Sequence, residues 1–272
     1  MKYSDTQLNQ VIEDVLASSK YRHVAPELVS IVAKQELENQ KDLKSAIKET
    51  RNRLHQSAGA YLNATPPYAK WRAQMELCDG ADALRSASLE WMQAHASTRE
   101  RLPILSDFYS SVLANIPVPS SIVDIACGLN PLALGWMGLP AGVRYIACDI
   151  YADMTQFAAD FLTKSGAQGA AMQCDCVTNP PEEAVDIAFI LKFLPVLEQY
   201  RRGATLDWLQ RINARRMLIS YPTKSLGGRG KGMAENYEKR FLDAIASTDW
   251  QIEKYLFENE LCFMVTKGEL GT

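Results

Sequence analysis

Several features are absent from this chain of 272 residues. It has no long hydrophobic run. Its longest apolar stretch, residues 185–197, is interrupted by Asp186, Lys192 and Pro195, and is too short and too polar to span a bilayer core of ~30 Å. No apolar segment follows Met1-Lys2-Tyr3-Ser4-Asp5, so nothing reads as a secretory signal peptide. A cytoplasmic protein with no membrane partner is expected, and its six cysteines are expected to be reduced thiols. There is no Gly-x-Gly-x-x-Gly, the loop that offers a helix N-terminus to a pyrophosphate, which argues against a dinucleotide. There is no repeat and no low-complexity tract. Nor is there a strong charge of one sign: the net charge is −3, which by itself argues against a nucleic-acid partner.

The distribution of charge alters that last conclusion. Residues 1–75 carry +3, residues 76–200 carry −9, residues 201–240 carry +7 and residues 241–272 carry −4. An acidic middle between two basic regions is the footprint of a protein that meets a polyanion with both. Solvated charge on ordinary surface faces is the plain alternative.

The hydrophobic pattern divides the chain near Leu102-Pro103. Before it the spacing is helical: Leu8, Val11, Ile12, Val15 and Leu16 share one face, Pro26 opens a second helix, residues 41–54 form a third, and residues 69–95 hold two more. After residue 120, β-branched runs at 121–126, 143–148, 169–174, 185–191 and 216–221 alternate with helical stretches. This predicts a parallel sheet with crossover helices. Two last runs joined by Glu258-Asn259 predict an antiparallel hairpin. The expected fold is α/β: a Rossmann-like sheet (residues 104–272) that resembles the class I S-adenosylmethionine-dependent methyltransferase arrangement, behind a helical N-terminal domain (residues 1–103).

In such a sheet the ligand lies across the carboxyl ends of the strands. The first strand runs into Asp124-Ile125-Ala126-Cys127-Gly128-Leu129-Asn130-Pro131. Small residues there admit a ligand, but no phosphate cradle follows. An adenosyl group without phosphates points to S-adenosylmethionine. Ala126 and Gly128 would let the backbone approach its methionine and ribose parts, and Asp149 would accept the ribose hydroxyls. Asp175 would take the adenine amine, with the Cys176 amide as a second contact and Leu191 packed on the adenine or the methionine. Cys127, Cys148, Cys174 and Cys176 also fall at strand ends, but their spacing fits no zinc finger, so no metal is expected.

The acceptor is narrowed by elimination. Methylation of an exocyclic amine uses an Asn/Asp-Pro-Pro-aromatic turn after the fourth strand, where this chain reads Leu191-Lys192-Phe193-Leu194-Pro195. Asn179-Pro180-Pro181-Glu182 and Thr65-Pro66-Pro67-Tyr68 lie elsewhere. Methylation of a cytosine carbon needs a cysteine nucleophile, and no Pro-Cys marks one. A ring nitrogen with a free lone pair, such as guanine N7, needs neither, so positioning and electrostatics carry the rate and no general base is expected. The stretch from Tyr221 to Met233, rich in glycine and cations, suits phosphate contact at the same sheet edge. Arg51, Arg53, Arg201, Arg202, Lys224, Arg229 and Lys231 are the candidate phosphate contacts.

Taken together, these segments resemble the aminoglycoside-resistance 16S ribosomal RNA methyltransferases that modify guanine N7 in the decoding site. The resemblance rests on His95-Ala96-Ser97-Thr98-Arg99-Glu100-Arg101-Leu102, Asp124 to Pro131, and Tyr221 to Met233 with Asn236-Tyr237. Arg53-Leu54-His55 with Gly59-Ala60-Tyr61 adds a fourth segment. It implies a helical N-terminal domain that docks on the 30S subunit; a monomer is expected. It further implies that His95, Ala96, Ser97 and Arg101 reach the methionine end of S-adenosylmethionine, and that Tyr61 lies near the cofactor. A glutamine contact after the fourth strand falls to Gln199, with Tyr200 competing for the place. His55 is expected to be structural or to face RNA. Other readings are a methyltransferase of another RNA position, such as adenine N1, or a ribosome assembly factor that binds S-adenosylmethionine without turnover.

Overall fold

The computed structural model describes residues 3–57, 59–62, 64–224 and 232–268. Seven helices precede the sheet: α1 (Asp5–Leu16), α2 (Pro26–Asn39), α3 (Leu43–Ser57), α4 (Tyr68–Glu76), α5 (Gly80–Trp91), α6 (Ala96–Arg101) and α7 (Leu105–Val112). Local chemistry starts two of them. A capping box of Ser4 and Gln7 opens α1, and Pro26 occupies the first turn of α2, where its missing N–H costs nothing.

The sheet comprises β1 (Ser121–Ile125), β2 (Arg144–Asp149), β3 (Gln168–Gln173), β4 (Val185–Leu191), β5 (Ala214–Pro222), β6 (Gln251–Leu256) and β7 (Glu260–Thr266). Its order is β3-β2-β1-β4-β5-β7-β6. The first five strands are parallel, and the terminal hairpin joins β5 antiparallel. Helices α8 (Ala152–Lys164), α9 (Leu194–Tyr200), α10 (Thr205–Arg211) and α11 (Met233–Ile245) make the crossovers. This is the α/β arrangement expected from the alternating runs. One boundary differs: β3 ends at Gln173, so Asp175 lies in the turn beyond the strand.

Residues alternate between the two faces along each buried strand, because successive Cβ atoms point to opposite sides. Val123, Ile125, Ile146, Ile190 and Ile219 share one core with α1, α2, α3, α9, α10 and α11. Ile122, Tyr145, Ala147, Phe189 and Leu218 share the other with α4, α5, α7 and α8. The N-terminal helices are therefore built into a sheet face. Backbone bonds reinforce this: the Ala25 N–H donates to the Ile150 carbonyl at 2.8 Å, and the Ala152 N–H to the His23 carbonyl at 2.8 Å.

The second face also holds a buried polar network. Arg101 forks onto Glu260 through Nε (3.0 Å) and Nη2 (2.7 Å), and donates to Asn130 through Nη1 (2.8 Å). Ser220 donates to Glu260 at 2.5 Å, and Lys192 Nζ lies 3.6 Å from the same carboxylate. Asn130 Nδ2 and the Tyr145 hydroxyl donate to Asp124 Oδ2 at 2.9 and 2.7 Å, while Asp124 Oδ1 has no hydrogen-bond partner. Burial pushes the Asp124 carboxyl up to about 7. Burial acts in the same direction on Glu260, but Arg101 and Lys192 outweigh it and hold that carboxyl below the ordinary range.

Removing one partner of a buried pair leaves a charge uncompensated, which costs about 3–5 kcal/mol. Glu260→Ala, which strands Arg101 and leaves Lys192 only its pair with Glu100, is expected to lower unfolding stability by about that much in urea denaturation. A loss below about 1 kcal/mol, the range of an exposed pair, would show that the network is not holding the fold.

Candidate functional site

The carboxyl ends of β1, β2 and β4 open into one slot. Two non-glycine residues there adopt left-handed backbone: Ala126 after β1 (φ 53°) and Lys192 after β4 (φ 58°). Such conformations cost on the order of 1 kcal/mol or more each and persist where the surroundings over-determine them. Ala126 and Lys192 both line the slot. Gly128 is also left-handed (φ 53°), and a Cβ on it would lie 2.7 Å from His95 Cε1. Only glycine allows the imidazole to lie so close to this turn.

Asp149 ends β2 and points its carboxylate into the slot. The Gly128 N–H donates to one oxygen at 2.8 Å and the Tyr151 N–H to the other at 3.2 Å. Burial raises its pKa, and these amide bonds oppose the rise. Each oxygen keeps a lone pair for a ligand hydroxyl. Around the carboxylate, Ile150, Val177, Leu191 and Phe193 supply apolar wall, and α2 contributes Leu28.

The opposite end is built by the segment before the sheet. Tyr61 stacks on His95, with centroids 5.6 Å apart and planes 12° apart. His95 Nδ1 and Ser97 Oγ are 2.9 Å apart. Burial, reinforced by Lys192 and Arg101, lowers the His95 pKa to about 3, so the imidazole is neutral. Lys192 Nζ donates to Glu100 at 2.6 Å. In the lining, the buried Ser57 and Tyr200 hydroxyls are hydrogen-bonded to each other.

The slot thus brings together Tyr61, His95, Ser97, Ala126, Asp149, Cys176 and Leu191 from the residues singled out in the sequence. Other members stand apart from its lining. Ala96 is buried in α6. Gly128 lies behind Asp149 as its amide donor. Arg101 is buried with Glu260 and Asn130. The Asp175 carboxylate closes its own turn on the Val177 N–H (3.0 Å) and the Thr178 hydroxyl. Gln199 faces away across α9, and Tyr200 lines the slot instead. Sequence reading did not single out Lys192, Ser57 or Leu28. Lys192 carried a signal in retrospect, as the one cation inside the apolar run of the fourth strand and its turn.

The candidate phosphate contacts are dispersed. Arg51 donates to the Asp14 carbonyl at 2.5 Å, and Arg53 pairs with Glu36 at 2.9 Å. Arg201 and Arg202 are exposed beside α9. Lys224 is exposed, 3.4 Å from Glu258. Arg229 and Lys231 lie outside the described residues. His55 is exposed, 3.0 Å from Lys20 Nζ. Among the described residues no cluster of His, Cys, Asp or Glu is placed to hold a metal ion, and no helix is long and apolar enough to cross a membrane.

This combination of fold and slot has close parallels. Residues 17–264 match the family model described as ribosomal RNA methyltransferase (FmrO). The chain is 35% identical over 268 residues to a 16S rRNA (guanine(1405)-N(7))-methyltransferase of Micromonospora echinospora, covering 97% of this chain and 98% of that protein. It is 36% identical over 266 residues to a protein of the same description from Frankia casuarinae, covering 96% of this chain and 94% of that one. Among solved structures it is similar to the 16S rRNA methyltransferase RmtF in complex with S-adenosyl-L-homocysteine. The TM-score is 0.83 and the identity 30%, covering 98% of this chain and all of that one.

A buried neutral histidine makes stability depend on pH. Above pH 6.5 the imidazole is neutral in both the folded and the unfolded chain. Below it the unfolded chain takes up a proton that the folded chain refuses until about pH 3, so stability falls on acidification. Between pH 7 and pH 5 the parent is expected to lose more stability in urea denaturation than His95→Gln. Equal losses would mean that His95 accepts a proton in the native state.

Proposed function

Because the chain belongs to the FmrO ribosomal RNA methyltransferase family, we propose that it methylates N7 of guanine 1405 in 16S rRNA, the reaction by which its relatives are described. The observation that carries the reading is a slot pairing the strand-end Asp149 carboxylate with apolar walls and a neutral His95. These residues fit S-adenosylmethionine, which when bound supplies a methyl group on a sulfonium. Asp149 accepts the ribose hydroxyls. Leu191, Ile150 and Val177 pack on the adenine, whose edge meets the turn of Asp175 and Cys176. Ala126, Ser97, His95 and Tyr61 enclose the methionine end. Arg101 and Gly128 act from behind: Arg101 fixes Asn130 and Glu260, and Gly128 aims Asp149.

The electrostatics suit a cationic donor. His95 is neutral, and Lys192 is paired with Glu100 at 2.6 Å, so no uncompensated cation faces the sulfonium. Guanine N7 attacks with its own lone pair and releases no proton, so a slot without a general base suffices. The product base is cationic, which repels polycationic aminoglycosides and removes a hydrogen-bond acceptor, and resistance follows. The substrate is the 30S subunit. Residues 1–103 form the docking domain, and Arg51, Arg53, Arg201, Arg202, Lys224, Arg229 and Lys231 contact its phosphates. A monomeric, metal-free, cytoplasmic enzyme completes the proposal.

Incubation of 30S subunits with enzyme and S-adenosylmethionine, then borohydride and aniline, is expected to cleave 16S RNA at one decoding-site guanine. Asp149→Ala is expected to abolish cofactor binding in calorimetry and cleavage with it. Methyl incorporation without cleavage would reassign the reaction to another position, such as adenine N1. Cofactor binding without incorporation would make the chain a non-catalytic factor. The double substitution Lys224→Glu with Arg229→Glu is expected to leave cofactor affinity unchanged and weaken 30S binding about tenfold or more. Unchanged 30S affinity would remove the basic segment from the interface.

A further inference from the structure

Helix α9 has two faces, and only one of them belongs to the cofactor slot. Val196 and Tyr200, with Phe193 just before the helix, face the slot. Pro195, Glu198 and Gln199 face a second cavity of about 540 Å³, whose far wall is α11. That size lies within the roughly 300–1,000 Å³ typical of ligand sites.

The chemistry of this groove is specific. Tyr221, near the end of β5, is buried beneath Tyr237 of α11, with centroids 4.9 Å apart and planes inclined by 25°. Tyr237 is half-buried, and Arg240, three residues further along the same helix, is exposed; both line the cavity. The two acids of the lining are engaged elsewhere. Glu198 accepts from the Gly203 N–H (2.7 Å), the Thr205 N–H (3.2 Å) and the Thr205 hydroxyl (2.5 Å). Asp243 pairs with Lys239 at 3.1 Å. Arg240 has no hydrogen-bond or ion-pair partner among the described residues. The groove therefore offers an aromatic ring beside a guanidinium that has no partner among the described residues, in the part of the chain (residues 201–240) that carries a net +7.

An aromatic platform next to an unpaired cation is the recognition chemistry of an unstacked nucleotide: the base stacks, and the phosphate meets the cation. Groove and slot are separated by α9 alone, a distance of about one helix diameter (~10 Å). A base in the groove is therefore a near neighbour of a base presented to the slot. We propose that this groove receives an unpaired nucleotide of the same RNA, flanking the target guanine, with its base against Tyr237 and its phosphate on Arg240. The inference rests on the methyltransferase reading and adds a second binding site for the substrate.

The test measures steady-state methylation of 30S subunits, with cofactor affinity determined separately by calorimetry, for Tyr237→Ala, Tyr237→Phe and Arg240→Gln. Loss of one stacked base is expected to raise the KM for 30S about tenfold in Tyr237→Ala, with kcat and cofactor affinity little changed. Tyr237→Phe keeps the ring and is expected to stay close to the parent. Arg240→Gln changes only an exposed side chain, so it cannot fail merely by unfolding. It is expected to raise KM and to reduce the slope of log KM against log salt by about one charge. The proposal is overturned by a parent-like KM in Tyr237→Ala or Arg240→Gln, by Tyr237→Phe failing as badly as Tyr237→Ala, or by a loss of cofactor affinity that accounts for the effect. Guanine cleavage by the parent separates the two levels. If it is present, any of these results counts against the groove alone; if it is absent, the methyltransferase reading falls and the groove's assigned ligand with it.

Discussion

Glu260 is the charge on which the cofactor slot depends. It is fully buried and meets two buried cations, Arg101 from α6 and Lys192 from the turn after β4. Arg101 could not be held out of water without it, since an isolated buried charge costs several kcal/mol, and Lys192 would keep only Glu100. Through Arg101 the same carboxylate reaches Asn130 and then Asp124 of β1. The last strand of the sheet thus positions the first strand's turn and the helix that carries His95 and Ser97 into the slot. The antiparallel hairpin does more than cover the edge of β5: it delivers the anion that organises the opposite end of the site.

This arrangement separates two electrostatic tasks that conflict. A slot for a sulfonium must hold no unpaired cation, whereas a surface for RNA must hold many. The chain keeps His95 neutral by burial and pairs Lys192 with Glu100, while the exposed cations Arg201, Arg202, Lys224 and Arg240 lie on or beyond α9. Helix α9 is the partition. Its inner residues close the slot, and its outer ones face the groove between α9 and α11. The left-handed backbone at Ala126 and Lys192 lies on the slot side, where function repays its strain.

Much of the scaffold was legible because the central strands are buried on both faces and so read as continuous apolar runs. The edge strands β3 and β6 are mostly exposed, yet each was legible from its place in the alternation. Strand-end positions were equally readable: Asp149 and Leu191 end β2 and β4, and both face the slot. Long-range pairing was not readable. Nothing local marks Glu260 as the partner of Arg101, which lies 159 residues away. Gln199 and Tyr200 are adjacent in sequence, but the helix turns about 100° between them, and the turn sends Tyr200 to the slot and Gln199 to the groove. Asp175 has the right residue type near the end of a strand, yet it stands outside the slot's lining, where its carboxylate accepts from its own turn.

The sequence by itself determined the order of helices and strands, the absence of a pyrophosphate cradle after β1, the basic segment of residues 201–240, and the family. These are properties of neighbouring residues, of periodicity and of residue type. Tertiary structure alone decided which of the strand-end and helix residues face a common space, which cations are neutralised, and that a tyrosine pair with an exposed arginine lies one helix away from the slot. Those outcomes depend on where side chains far apart in the chain meet in a low-dielectric interior, where pairing one charge with another outweighs any local preference.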